Sequence, residues 1–175
     1  LSIFKKRPAM VFSTAAFSSM ANILDRNHMN IICVCSHGGH LVEMLEIIDC
    51  FKGHDIHYFT YKEESTKDLP NVHFFENIAL KPLLFISTML RIIRLYKAIK
   101  PKLIVSTGAE LALPAFLTSL LFPGVRRIYM ECSAQVYTPS LTGKLVYPIT
   151  HLFIVQWDTL LKKYGKKARY VGGLI

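Results

Sequence analysis

The chain has 175 residues, enough for one domain of ordinary size whose core needs no disulfide staples. Apolar residues make up 51% and charged residues 19%, a composition suited to a protein that rests on a membrane or buries one face against a partner. Lys and Arg outnumber Asp and Glu by 21 to 12, and the net charge of +9 favours anionic lipid or phosphorylated ligands; without any RNA- or DNA-binding motif beside it, nucleic acid ranks below both.

Lys5, Lys6 and Arg7 precede an uncharged stretch from Pro8 to Leu24 that is rich in Ser, Thr and Ala. Its length only just reaches that of a membrane span. A membrane anchor, a flexible leader and residues upstream of a natural start at Met29 all fit. The expectation is a poorly ordered or membrane-associated leader over residues 1–28 and a single Rossmann-like domain over 29–175. The cysteines (Cys33, Cys35, Cys50 and Cys132) show no zinc-ligand spacing, so no metal is expected, and they read as reduced, mostly buried thiols of a cytoplasmic protein.

From Met29 onward, strands and helices alternate. Ile31–Cys35 is a short apolar run that predicts a buried parallel strand. Ser36-His37-Gly38-Gly39-His40 is a tight turn, and Leu41, Met44, Leu45 and Ile48 give the following segment, to Phe51, a helical period. Strands are predicted at Asp55–Tyr61 and Val72–Phe75, with the charged stretch Lys62–Asn71 as a loop between them. A long helix over Pro82–Ile99 is stopped by Pro101. Leu103–Val105 is the next strand, Ser106-Thr107-Gly108 a second turn, and Leu111–Leu121 a helix broken by Pro123-Gly124. Arg127–Met130 is a strand that ends at Glu131. A loop over Cys132–Leu141, a short helix from Thr142 to about Tyr147, a strand at Leu152–Val155, a helix at Asp158–Tyr164 and a strand at Arg169–Val171 complete the chain. This order predicts an α/β fold: a Rossmann-like parallel sheet with helices on both faces.

In such a sheet, ligands bind beyond the carboxyl ends of the strands. Three polar turns fall there: Ser36–His40, Ser106–Gly108 and Glu131–Ser133. Gly38 and Gly39 let the backbone approach a ligand, and the helix after them offers unpaired N–H groups to an anion such as a lipid-linked diphosphate. His40, at the start of that helix, has the chemistry of a general base on a sugar hydroxyl; the plainer alternative is that the glycines only form the turn and His40 only caps the helix. Ser106, Thr107 and Gly108 offer hydroxyls and a close-approach glycine, or else an N-terminal cap for the next helix. Glu131 is either a base or sugar-hydroxyl acceptor, or a buried carboxylate that orders its loop.

The Pro82–Ile99 helix is apolar nearly all round in its first half (Leu83, Leu84, Phe85, Ile86, Met89, Leu90), and Arg91, Arg94, Lys97 and Lys100 make its second half basic. That pattern suits an anionic membrane surface more than an ordinary core helix, and the helix is too short to count as a span. Lys162, Lys163, Lys166 and Lys167 read as a solvated face, and Trp157, the only Trp, is expected to pack against the last helix.

The sequence resembles the asparagine-linked-glycosylation protein fourteen family. The residues that carry the resemblance are Ser36–Leu45 (S-H-G-G-H-L-V-E-M-L), Ser106–Pro114 (S-T-G-A-E-L-A-L-P), Ile128–Glu131 (I-Y-M-E), Ser140–Tyr147 (S-L-T-G-K-L-V-Y), Phe153–Trp157 (F-I-V-Q-W) and Tyr170–Gly173. The resemblance implies the N-terminal, acceptor-side half of a glycosyltransferase-B fold. It implies the membrane-associated subunit of a split UDP-N-acetylglucosamine transferase, on the cytoplasmic face of a membrane, inactive or nearly so alone. Such a subunit presents a lipid-diphosphate-linked sugar acceptor and recruits a donor-binding partner chain that holds the UDP-sugar, with no other cofactor; bacterial relatives serve capsule and exopolysaccharide synthesis. The length of one Rossmann-like unit agrees with that division. Carried over by position, Gly38, Gly39 and His40 contact the acceptor, and Ser36, Ser106, Thr107, Gly108 and Glu131 complete its site, with His40 and Glu131 as the catalytic candidates. Three departures stand out: His151 where Asp is usual, Glu110 where a second Gly is common, and Gln135 where Arg is frequent. Two alternatives stay open: a non-catalytic scaffold or enhancer of a galactosyl- or glucuronosyltransferase partner, and a free-standing nucleotide- or sugar-phosphate-binding enzyme.

Overall fold

The computed structural model describes residues 27–78 and 82–174. The leader expected over residues 1–28 falls, but for its last two residues, outside them. Among the described residues, seven strands form one sheet: β1 (Asn30–Val34), β2 (Asp55–Tyr61), β3 (Val72–Phe75), β4 (Leu103–Ser106), β5 (Arg126–Met130), β6 (Leu152–Val155) and β7 (Ala168–Tyr170). Their order is β3-β2-β1-β4-β5-β6-β7 and every neighbouring pair is parallel. The helices between them are α1 (Gly39–Ile47), α2 (Pro82–Ile99), α3 (Ala112–Ser119), α4 (Leu141–Val146) and α5 (Leu161–Tyr164).

The apolar runs become strands because they are buried on both faces and so need no polar alternation. Along β1, Ile32 and Val34 point into one core, while Ile31 and Cys33 point into the other. The first core is closed by Ile92, Tyr96 and Ile99 of α2, Phe116 of α3 and Val146 of α4. Leu41, Met44 and Ile47 of α1 close the second, with Val171 and Leu174. Cys33 and Cys35 share that second core, as their alternation requires, and burial drives both thiols up, Cys35 to about 12, so they are inert packing groups.

Several boundaries differ from expectation, three of them near the polar turns and the last loop. α1 begins at Gly39, two residues early, because Gly38 turns the chain at φ +72 and leaves Gly39 and His40 free to be helical. The helix also tightens into a 3-10 turn over Ile48–Phe51. α4 begins at Leu141, where Ser140 caps it by accepting a hydrogen bond from Gly143 N. The Trp157 side chain is partly exposed, and its indole N–H donates to Ser133 O at 2.6 Å, which ties the end of β6 to the loop after β5.

Candidate functional site

The strand order reverses between β1 and β4, and at that switch point the two turns must meet: one leaves β1 at its carboxyl end, the other leaves β4. A cleft of about 490 Å³ opens there. Ser36, His40, Gly108, Glu131, Ser140 and Thr142 line it, with the departures Glu110 and Gln135 on its wall. Its size falls within the range of small-molecule sites. A second cleft, about 360 Å³ and lined by Pro123–Arg127 and His151, lies at the amino ends of β5 and β6, away from these turns. There His151 accepts a hydrogen bond from Arg127 N at 3.0 Å, so this departure shapes the start of β6.

The two turns are locked by a reciprocal pair of bonds. His40 Nδ1 lies 2.8 Å from Thr107 O, and Thr107 Oγ1 donates to His40 O at 2.7 Å. A carbonyl can only accept, so Nδ1 carries the proton and Nε2 is the nitrogen free for other partners. Gly108 makes the fit possible. At φ +129 it adopts a conformation that L side chains avoid, and a Cβ there would sit under 3.0 Å from two atoms of the imidazole. The ring therefore rests on bare backbone.

The expected site residues divide into three groups. Ser36, His40, Gly108 and Glu131 meet at the cleft. Gly38 and Gly39 are not among the lining residues: they are exposed at the start of α1, next to His40, where the first-turn amides have no helical acceptor. Ser106 and Thr107 lie buried beneath it, with their hydroxyls turned inward: Ser106 Oγ bridges Gly108 N and O at 3.1 and 3.0 Å, and Thr107 serves His40. Neither caps α3, whose N-cap is Leu111 with no side-chain bond.

Glu131 is 1% exposed and surrounded by donors. Cys132 N reaches Oε1 at 3.3 Å, while Ser140 N (3.2 Å), Ser140 Oγ (3.1 Å) and Tyr164 Oη all converge on Oε2. Burial first, then the bond to this carboxylate, pushes the Tyr164 phenol far up, so it remains a donor. The arrangement fits the loop-ordering role, because the carboxylate accepts from the segment between β5 and α4 and from Tyr164 of α5.

Sequence reasoning missed Glu43. It is fully buried one turn after His40 and takes bonds from Ser133 N (2.7 Å) and Gln156 Nε2 (3.2 Å) on Oε1, while Oε2 has no hydrogen-bond partner and stands 3.9 Å from His40 Nδ1. The signal was present: a carboxylate three residues after His40 in the otherwise apolar inner face of a helix. Burial disfavours the charged form of each group. Hydrogen bonding and charge outweigh it, so Glu43 is held below the usual carboxylate range, while Cys132 and Glu43 raise His40 to about 10. Among the described residues, His40, Glu43 and Cys132 are also the trio that could ligate a metal, with ligand atoms within 4.8 Å of one another. No local spacing motif could have shown it, because Cys132 comes from another strand end.

A family model described as "Oligosaccharide biosynthesis protein Alg14 like" matches residues 73–174, a range that includes the second turn and Glu131 but not the first turn. The curated relatives include the UDP-N-acetylglucosamine transferase subunit ALG14 of Rattus norvegicus, 35% identical over 82 residues (44% of this chain and 38% of that protein). The Schizosaccharomyces pombe subunit of the same name is 39% identical over 66 residues, 38% of this chain and 31% of that one. The matched segments thus span only about a third of the length of these relatives. Among solved structures, Acinetobacter baumannii MurG aligns with a TM-score of 0.70 at 13% identity, covering 83% of this chain and 46% of that one. The UDP-GlcNAc 2-epimerase of Methanocaldococcus jannaschii aligns at 0.64 and 15%, covering 83% and 46%. At these identities the likeness is one of fold: a glycosyltransferase-B-like parallel α/β sheet, of which this chain matches about half.

Proposed function

The chain belongs to the Alg14-like family of oligosaccharide biosynthesis proteins, and from that premise we propose that it is the acceptor-side subunit of a split glycosyltransferase. It binds a lipid-diphosphate-linked sugar at the cleft between the β1 and β4 turns, and a separate donor-binding chain supplies the UDP-sugar. One observation carries this reading: His40, in the first turn of α1 and next to the exposed Gly38 and Gly39, lines a cleft at the switch point of the sheet. Together they offer unpaired backbone amides and a histidine N–H to the oxygens of a diphosphate. Gly38, Gly39 and His40 contact the acceptor, Ser36 and Gly108 shape its pocket, and Glu131, Ser106 and Thr107 hold these elements in place. The inward bonds of Ser106, Thr107 and Glu131 favour a second reading, in which the chain contributes docking and acceptor placement but no proton transfer.

The test is transfer from a UDP-sugar to a lipid-diphosphate acceptor by this chain, by its partner and by the two together. Transfer by the pair only is the expected result; full transfer by this chain alone refutes the split-enzyme reading, and a stable pair that transfers equally well with His40→Ala selects the scaffold.

Helix α2 supports a peripheral membrane seat. No helix among the described residues is long and apolar enough to cross a membrane. α2 turns Thr88, Ile92, Tyr96 and Ile99 inward and leaves Leu83, Ile86 and Leu90 exposed, 83%, 57% and 54% respectively. At helical spacing these three continue into the exposed Arg94 and Lys97 along one face, so an apolar end is followed by a basic one. The expected outcome of vesicle co-sedimentation is binding to anionic vesicles that falls about tenfold in a Leu83→Ser/Ile86→Ser/Leu90→Ser variant and weakens as salt is raised. Equal binding by that variant would remove α2 from the membrane seat.

A further inference from the structure

The cleft at the amino ends of β5 and β6 is lined by Arg126, Arg127 and His151, and none of its lining residues is acidic. Arg127 is fixed there as a rigid fork. Its Nε donates to Ile149 O at 2.6 Å, and its Nη1 reaches Val125 O at 3.3 Å and Ser119 Oγ of α3 at 3.5 Å. The remaining nitrogen, Nη2, faces His151 Nε2 at 3.3 Å. That contact sets donor against donor. His151 Nδ1 accepts the Arg127 N–H at 3.0 Å, so it carries no proton, and the ring holds its proton on Nε2. A guanidinium can only donate. Two N–H groups therefore converge with no acceptor between them. The positive charge around them is uncompensated as well. Lys167 is anchored close by, its Nζ bound to Tyr147 O at 2.8 Å and Pro148 O at 3.1 Å. Burial, then the charge of Arg127, holds Lys167 below the usual lysine range; burial, then Arg127, Arg126 and Lys167, holds His151 below the usual histidine range. None of the ion pairs among the described residues involves these four side chains.

We propose that this cleft binds a phosphate group, with His151 Nε2–H and Arg127 Nη2–H donating to one of its oxygens and the exposed Arg126 guanidinium meeting another. The site lies at the opposite edge of the sheet from the β1 and β4 turns, and it stands whether or not those turns hold an acceptor. An anion oxygen placed between Nε2 and Nη2 supplies the acceptor that both groups lack, and the bond to the guanidinium is charge-assisted. A phosphate fits better than a carboxylate. Planar carboxylates pair with two nitrogens of one guanidinium, and Arg127 has already committed Nε and Nη1 to the protein. A tetrahedral group instead presents oxygens in several directions, toward Arg127 and His151 on one side and Arg126 on the other. The volume of about 360 Å³ leaves room for more than the phosphate itself. Two sources share this chemistry. Leu120 on the cleft wall and its neighbour Leu121 are 48% and 63% exposed, an apolar flank suited to the chains of a phospholipid. A soluble phosphorylated compound would use the same donors without that flank.

The decisive variant is His151→Asp. Its carboxylate can accept the Arg127 N–H as the imidazole does and adds the acceptor that Nη2 lacks, so the variant is expected to melt no lower than the unaltered chain while its own charge takes the place of the anion. In the first arm, inorganic phosphate replaces chloride at constant ionic strength. The expected result is a saturable shift of the Arg127 and His151 amide signals in NMR spectra of the unaltered chain, with affinity at least about tenfold lower in His151→Asp. Arg126→Gln, which leaves the Arg127 bonds in place, repeats the test with a smaller loss of about threefold. The second arm is co-sedimentation with phosphatidylglycerol vesicles, against Lys62→Gln as control. Lys62 is exposed just after β2, at the carboxyl edge, and its substitution changes the net charge by the same single unit. Vesicle binding that falls further in His151→Asp than in Lys62→Gln assigns the phosphate to a lipid headgroup. A phosphate response with equal vesicle binding in those two variants assigns it to a soluble ligand. The proposal is overturned if His151→Asp binds phosphate as the unaltered chain does. It is equally overturned if phosphate gives no saturable shift and the two variants bind vesicles alike.

Discussion

Gly108→Ala lowers transfer by the two-chain complex about 100-fold while leaving the chain folded, the size of loss expected when a functional group is displaced by about 1 Å. The added methyl would stand under 3.0 Å from Cε1 and Nδ1 of His40, and the backbone at φ +129 resists any side chain. The ring is the partner that must yield, because its neighbour Thr107 is pinned at the end of β4. Displacing the imidazole breaks the 2.8 Å bond to Thr107 O and moves the ring from its place on the cleft wall. The fold survives, since Gly108 sits in a turn beyond the strand, and the backbone strain amounts to about 1–3 kcal/mol. The measurement pairs steady-state transfer with a thermal melt of Gly108→Ala and His40→Ala. Equal losses of activity in the two variants, with melting temperatures lowered by no more than about 10 °C and the cooperative transition kept, are the expected result. Full activity in Gly108→Ala would show that the cleft tolerates a displaced His40, and would take His40 out of the acceptor site.

The contrast between strands and site explains how much could be read from the sequence. Ile31–Cys35 and Leu152–Val155 were legible because a strand buried on both faces needs nothing but a short apolar run between breakers, and both facts are local. The long helix α2 was legible from end to end because Pro82 and Pro101 bracket it. The turns after β1 and β4 were correctly placed at the carboxyl edge for the same topological reason. What the hydroxyls of Ser106 and Thr107 do there was not legible. A hydroxyl takes the nearest acceptor, and for Thr107 that is the carbonyl of His40, 67 residues away. Glu43 was overlooked for a related reason: its partners Ser133 and Gln156 lie 90 and 113 residues along the chain, and only the parallel crossovers bring them under α1. The two roles weighed for Glu131 could not be separated in sequence either, since Tyr164 and Ser140, which spend its lone pairs, come from two later elements.

Gly143→Ala is the substitution expected to cost the most stability, about 2–4 kcal/mol, because it combines overpacking with broken hydrogen bonds around a buried carboxylate. A Cβ at Gly143 would stand under 3.0 Å from Tyr164 Oη, Glu131 Oε2 and Ser140 Oγ at once. These atoms form a relay in which Gly143 N donates to Ser140 Oγ at 2.9 Å and Ser140 Oγ donates to Glu131 Oε2 at 3.1 Å. The relay caps α4 and anchors α5 through Tyr164, whose ring packs 4.4 Å from that of Phe153 on β6, centroid to centroid. No atom of the relay can retreat cheaply: Glu131 is enclosed, Ser140 is fixed by its own N–H to the same oxygen, and Tyr164 is wedged between Phe153 and Tyr147. The expected reading is a melting temperature lowered by about 5–10 °C. Tyr164→Phe, which removes one donor but adds no bulk, costs about 1 kcal/mol. Glu131→Gln falls between them, because an amide set among these donors must turn its NH₂ toward one of them. If Gly143→Ala melts like the unaltered chain, the carboxylate cluster is looser than its geometry implies. Glu131 would then have lone pairs to spare for an acceptor hydroxyl, and its role as a base would return to first place. If the three variants rank as stated, and if transfer per folded molecule in Tyr164→Phe stays near that of the unaltered complex, Glu131 is the organiser of the loop that carries Cys132 and Ser133 to His40 and Glu43.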